Sequence, residues 1–268
     1  MIRQIVKKTN RMITVVIPAR MASSRYPGKP LVPILGLPMI EHVRRRSLLA
    51  DGVGLVVVAT CDLAIKELVD LNGGQGVMTK DTHVRCTERV QEAMEILPGD
   101  IVVMVQGDEP LLNPIAIIQV AQPLLDDPSL DVVNLLSPLE SRDDLANPNI
   151  VKAVCDVNQN VIYLTRSAVP YFRKTVKAPV FRQTGIMAFR SSFLPRFSTL
   201  PETALEAAES IDMLRLLEHG VRIQGVLVDY VTIGVDRPSD VQIVEAVLRE
   251  DPFQKSLNKQ INNLNIHG

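Results

Sequence analysis

Ile101-Val102-Val103-Met104-Val105 runs straight into Gln106-Gly107-Asp108-Glu109-Pro110. Five apolar residues without polar alternation mark a strand covered on both faces, the pattern of parallel sheets flanked by helices. Upstream, Ile13-Thr14-Val15-Val16-Ile17 and Leu55-Val56-Val57-Val58-Ala59 have similar character, Gly76-Val77-Met78 is a shorter run, and a further strand is expected near Asp131 to Leu135. Helical stretches separate these runs. They are predicted from about Met39 to Ala50, from a cap at Asp62 to Leu71 before Gly73-Gly74, from Thr87 to Ile96, and from Ile115 to Leu125. Strand, helix, strand at this spacing predicts an α/β fold with a mostly parallel sheet, right-handed crossovers and helices on both faces. Ligands of such sheets bind at the carboxyl ends of the strands.

The second half breaks this rhythm. About 150–190 reads as a β-rich insertion with turn signals and no clear helix. A helix from about Pro201 to Glu218, a strand from Ile223 to Val228 and a helix from Ser239, its expected cap, to Glu250 complete the chain. The expected organisation is one domain over 12–252. The flanking 1–11, with Arg3, Lys7, Lys8 and Arg11, and 253–268 are read as extensions, the latter as a fraying tail.

With 268 residues, 46% of them hydrophobic, the chain can bury a sizeable core. A formal net charge of -1 argues against nucleic acid as a partner, because phosphate neutralisation needs a cationic surplus. Three scattered cysteines give no disulfide framework and point to a reducing, cytoplasmic setting. No apolar run approaches the roughly 20 residues of a membrane span, and Met1 to Arg11 does not read as a secretory signal.

Three clusters carry chemistry, each just after a strand. The loop from Pro18 to Pro30 gathers Arg20, Ser23, Arg25 and Lys29 around Gly28. Arginine forks and a mobile ammonium suit a triphosphate, which needs several converging donors. A solvated basic loop would look similar, and the spacing is not that of a Walker loop. After the apolar strand, Asp108 can hold Mg²⁺, which takes one or two carboxylates plus phosphate oxygens; turn formation is its other reading. Asp236, in Gly234-Val235-Asp236-Arg237-Pro238, can be the second metal carboxylate. Two distant carboxylates and one cationic loop fit phosphoryl-type transfer. His83 and Cys86 lack a second ligand pair for zinc, and His42 and His219 are read as lying on helix surfaces.

On these residues the chain resembles the bacterial 3-deoxy-manno-octulosonate (Kdo) cytidylyltransferases, or CMP-Kdo synthetases. The likeness runs from about Ile13 to Leu248. It rests on Ile17-Pro18-Ala19-Arg20 through Pro27-Gly28-Lys29-Pro30-Leu31, Met78-Thr79, Thr87-Glu88-Arg89, Val105 through Pro110, Asn147-Pro148-Asn149, Val151-Lys152 and Gly234-Val235-Asp236. The resemblance implies a Rossmann-like nucleotidyltransferase fold with a β-rich homodimerisation segment, and CTP-dependent transfer of CMP with release of pyrophosphate. It assigns Arg20, Ser23, Arg25, Lys29, Thr79 and Gln106 to the nucleotide, and Asp108 and Asp236 to Mg²⁺. Arg20, Lys29 and Asp108 become the catalytic set, and lipopolysaccharide biosynthesis the setting.

Departures cluster at the acceptor positions. The family's Ser-Gly before Thr-Glu-Arg is Arg85-Cys86 here, its pocket His and Tyr are Gln183 and Met187, and its Glu-Gln pair on a late helix is Asp212-Met213. Arg85, Arg89, Gln183, Met187, Asp212 and Met213 are the expected acceptor-binding residues. They leave open a Kdo-type sugar, another acidic acceptor such as a phosphonate, or, in a different class, a non-catalytic nucleotide-binding regulator.

Overall fold

The computed structural model describes residues 11–254 apart from 24, 175 and 177; the remaining parts of the two expected extensions lie outside the described residues. β1 (Ile13–Ala19) leads through a long loop into the short strands β2 (Pro33–Ile34) and β3 (Leu37–Pro38). Then come α1 (Met39–Ser47), β4 (Val53–Thr60), α2 (Leu63–Leu71), β5 (Gly76–Met78), α3 (Cys86–Met94), β6 (Ile101–Val105), α4 (Pro114–Asp126) and β7 (Val132–Ser137). The second half holds α5 (Arg142–Ala146), β8 (Lys152–Cys155), β9 (Val161–Thr165), β10 (Val180–Arg190), α6 (Leu194–Thr199), α7 (Ala204–Glu209), α8 (Met213–Glu218), β11 (Ile223–Leu227) and α9 (Pro238–Glu250).

The main sheet has the order β11-β7-β10-β6-β1-β4-β5, with β8 and β9 continuing from β10. β1 pairs in parallel with both β4 and β6, as the apolar runs require. Along β6, Ile101, Val103 and Val105 enter one core while Val102 and Met104 enter the other. Both faces are therefore covered, which is why these strands lack polar alternation.

Expectation and structure part in the second half. β10 is not confined to an insertion: it lies between β6 and β7, antiparallel to both. Its apolar half, Ile186 to Phe189, is a central-strand sequence, and its polar half runs on to pair with β8. The helix expected over 201–218 is two helices, because Ser210 adopts a left-handed φ of 55° between α7 and α8. At the C-terminus, Gln254 is buried and Phe253 lies under the Arg46 guanidinium, so fraying does not begin at 253.

A third, smaller core decides where the site forms. Ile34 and Met39 pack with Val235, Val244 and Leu248, and Tyr26 and Leu111 lean against them. This apolar contact draws together the segments that follow β1, β6 and β11. His42, expected on a helix surface, is fully buried beside it, with its ring bonded to the Ile34 carbonyl at 2.7 Å.

Candidate active site

The loop after β1 is fixed by its backbone. Gly28 takes a φ of 75°, which a side chain would resist, and its N–H donates to the Met21 carbonyl at 3.0 Å. Asp62, expected to cap α2, makes no cap bond; its carboxylate accepts the Met21 N–H at 2.8 Å. The loop thereby closes back toward the end of β4, and Lys29 follows in a single 3₁₀ turn with only 8% of its surface exposed.

Lys29 is where the three clusters meet. Its Nζ donates to Asp108 Oδ2 at 2.7 Å and to the Val235 carbonyl at 2.8 Å, and lies 3.8 Å from Asp236 Oδ1. Arg25 reaches the same Asp236 carboxylate through both terminal nitrogens, at 3.0 and 2.9 Å. The Val235 N–H donates to the Asp108 carbonyl at 2.9 Å, locking one carboxylate loop to the other. Asp240 then accepts the N–H groups of Asp236 and Arg237, each at 2.8 Å. α9 is therefore capped at Arg237 with Asp240 closing its first turn, rather than on a Ser239 cap. Aspartates separated by more than a hundred residues bracket one ammonium.

This corner opens into a cleft of about 480 Å³. Arg20, Ser23, Arg25 and Lys29 line one part of it. Arg85, Cys86, Arg89 and Gln106 line another, with Arg166 and Ser210. Thr79 is not in the lining; its hydroxyl holds Arg89, whose guanidinium also reaches the Lys80 carbonyl. Gln106 donates its N–H to the Gly185 carbonyl at 3.1 Å, and a Cβ on Gly185 would meet the Gln106 Cγ at 2.5 Å. The Cys86 thiol contacts Gln106 Oε1 and is pushed up to about 11 by burial, then by Asp212 and Asp108, so it is no thiolate nucleophile at neutral pH.

The expected acceptor residues divide. Arg85 and Arg89 line the cleft; Gln183, Met187, Asp212 and Met213 do not. Met187 and Met213 belong to the core, beside Phe189, Phe193 and Leu214. The pairing of β10 with β7 shifts between Gln183 and Met187, so alternation along the strand does not carry from one to the other. Gln183 donates to Asn134 Oδ1 at 2.8 Å. Asp212 accepts from Thr87 Oγ1 at 2.6 Å, and burial raises its carboxyl above the usual carboxylate range.

Two residues were not singled out from the sequence. Glu109 was read only as the neighbour of Asp108. It is buried, and its carboxyl is pushed up to about 7 by desolvation and then by the Asp108 charge, against the pull of Arg182. Arg166 lies just past β9 and is held at every turn. Its N–H donates to Glu209 Oε2 at 2.9 Å, its Nε to the Glu209 carbonyl at 2.8 Å, and its Nη1 to the Pro148 carbonyl at 3.0 Å. The buried Lys152 ammonium binds the Arg166 carbonyl together with those of Asn147 and Ile150. A basic residue closing a strand was its available signal, masked by reading the whole stretch as an interface.

A family model described as Cytidylyltransferase matches residues 14–223. The 3-deoxy-manno-octulosonate cytidylyltransferase of Pelobacter propionicus is 42% identical over 240 residues, covering 85% of this chain and 94% of the relative. The 8-amino-3,8-dideoxy-manno-octulosonate cytidylyltransferase of Shewanella woodyi is 40% identical over 243 residues, covering 89% and 99%. A solved structure of CMP:2-keto-3-deoxy-manno-octonic acid synthetase complexed with CTP superposes with a TM-score of 0.84 at 40% identity, over 89% of this chain and 99% of that one.

Proposed function

The chain belongs to the cytidylyltransferase family and is a nucleotidyltransferase, and we propose that it transfers CMP from CTP to Kdo with release of pyrophosphate. The observation that carries this is the Lys29 ammonium bracketed by Asp108 and Asp236, beside a loop of arginines in one cleft. The acceptor rests on the relatives' names, and their activity points to lipopolysaccharide biosynthesis.

In this reading Arg20, Ser23, Arg25 and Lys29 bind the triphosphate of CTP, and Gln106, with Arg89 steadied by Thr79, shapes the cleft beside it. The donor set suits a divalent cation. Two hard carboxylate oxygens already face one positive point, and Mg²⁺ takes few protein ligands, leaving room for phosphate oxygens. No group of three or more His, Cys, Asp or Glu that could hold a metal ion occurs among the described residues. Asp108 and Asp236 would hold Mg²⁺, which supplies charge neutralisation at the phosphates when bound.

An acceptor hydroxyl oxygen attacks the α-phosphorus of CTP in line. A new P–O bond forms as the bond from that phosphorus to the bridging oxygen breaks, the hydroxyl proton passes to solvent, and pyrophosphate leaves. Lys29 and the arginines of the β1 loop meet the charge growing on the departing oxygens, a stabilisation that is greatest in the transition state. Arg166, fixed before substrate arrives, receives the acceptor's carboxylate, and Arg85 and Arg89 line the cleft with it.

We read the molecule as a cytoplasmic homodimer. None of its described helices is long and apolar enough to cross a membrane. Val157 is 97% exposed at the turn between β8 and β9, and Ile162 on β9 is exposed as well, apolar surface that a second copy would cover. Pyrophosphate release from CTP and Mg²⁺, with Kdo compared against no acceptor, tests the transfer. CTP binding without turnover on Kdo would overturn the acceptor assignment.

A further inference from the structure

Arg85 crosses the acceptor end of the cleft from the start of α3 to the α7–α8 turn. Its Nη1 donates to Ser210 Oγ at 2.9 Å and its Nη2 to Glu202 at 3.3 Å. Its Nε is buried without a hydrogen-bond partner, although Glu206 stands 3.3 Å away. The residue before Ser210, Glu209, accepts Arg166 Nε through its carbonyl. Two guanidinium groups therefore grip adjacent residues of one turn, and both line the cleft.

The carboxylates around them are mostly engaged elsewhere. Glu206 gives both oxygens to Arg215 at 2.7 Å. Glu209 takes the Arg166 N–H and the Thr165 hydroxyl, and Asp212 takes the Thr87 hydroxyl. Glu202 differs: it is 57% exposed and contacts Arg85 across a long 3.3 Å. Exposed pairs of this kind are weak and easily exchanged for a better anion.

We propose that Arg85 is a specificity-determining residue, which exchanges Glu202 for the acceptor and joins Arg166 in bracketing a compact oxyanion. This rests on the transfer reading above. The shared chemistry is a carboxylate or a phosphonate, and planar guanidinium forks suit both.

The test measures pyrophosphate release by the full chain with CTP and Mg²⁺, in separate arms with Kdo and with phosphonoacetate. In the arm that the wild type turns over, Arg85→Ala raises the acceptor KM about tenfold or more, the loss of a charge-assisted contact. The CTP KM stays within about twofold, because the triphosphate loop is untouched. Arg85→Lys recovers part of the loss, and Glu202→Gln lowers the acceptor KM by removing the competitor. If Arg85→Ala folds poorly, Arg85→Lys and Glu202→Gln carry the test. The inference is overturned if Glu202→Gln raises the acceptor KM as Arg85→Ala does, which would make the pair a structural tie, or if the CTP and acceptor KM values move together. A wild type inactive in both arms sinks the transfer reading and this inference with it; an active wild type whose Arg85→Ala is unchanged sinks this inference alone.

Discussion

The proposed triphosphate end and the proposed acceptor end share one cleft but are built differently. At the triphosphate end, functional side chains stand on loops that leave parallel strands, and main-chain bonds such as Val235 N–H to the Asp108 carbonyl fix those loops to one another. At the acceptor end, the candidates came from the face of a strand and from helix starts, and two of the six, Met187 and Met213, turned into the core. Leaving a strand end delivers a side chain to a known edge of the sheet. Sitting within a strand does not, because one shift of register sends the residue to the opposite face.

The harshest challenge to this contrast is Asp108→Ala. Removing a carboxylate from the point where the three clusters meet lowers kcat by about a thousandfold. Folding is retained, since the Asp108 side chain is 34% exposed. Pyrophosphate release and a melting curve read both; near-normal turnover would remove Asp108 from the chemistry and dissolve the distinction between the ends.

Met213→Ala sharpens it from the other side. Met213 is fully buried in the core, so truncation destabilises by about 2–5 kcal/mol. The acceptor KM of the remaining folded enzyme follows the CTP KM. A selective rise in the acceptor KM with an unchanged Tm would show that Met213 reads the acceptor after all.

The smallest effect concerns the support beneath the triphosphate end. Burial holds the His42 imidazole below its usual 6.5, with the Arg46 and Arg45 charges adding to the effect. A lowered folded value means that the native state resists the proton. Stability is therefore full above pH 6.5 and falls as the pH drops below it. The wild type should lose a few degrees of Tm on going from neutral to mildly acidic buffer, and His42→Gln should lose less. Equal losses would assign the acid sensitivity to other groups.

Much of the fold was legible in residues alone. The largely apolar runs from Ile13, Leu55 and Ile101 feed the cores on both faces of the sheet, and such runs have few alternatives to a helix-covered sheet. The position of β10 was not legible. The stretch 150–190 was read as a β-rich insertion, yet its last strand runs through the middle of the sheet because Ile186 to Phe189 complete both cores. Asp62 shows the same limit at a smaller scale. Its place before a helix suggested a cap, but the unsatisfied Met21 N–H across the loop was the partner it found.

The sequence by itself determined the element types of the first half, the three charged clusters and the reaction class they resemble, because period, turn chemistry and residue type are local properties. Tertiary structure decided which of those charges meet. A small apolar core of Ile34, Met39, Val235, Val244 and Leu248 closes distant segments on one another and sets Lys29 between two aspartates. It also decided that Met187 and Met213 fill space while Arg166 faces the cleft, because burial and register depend on every neighbouring strand at once.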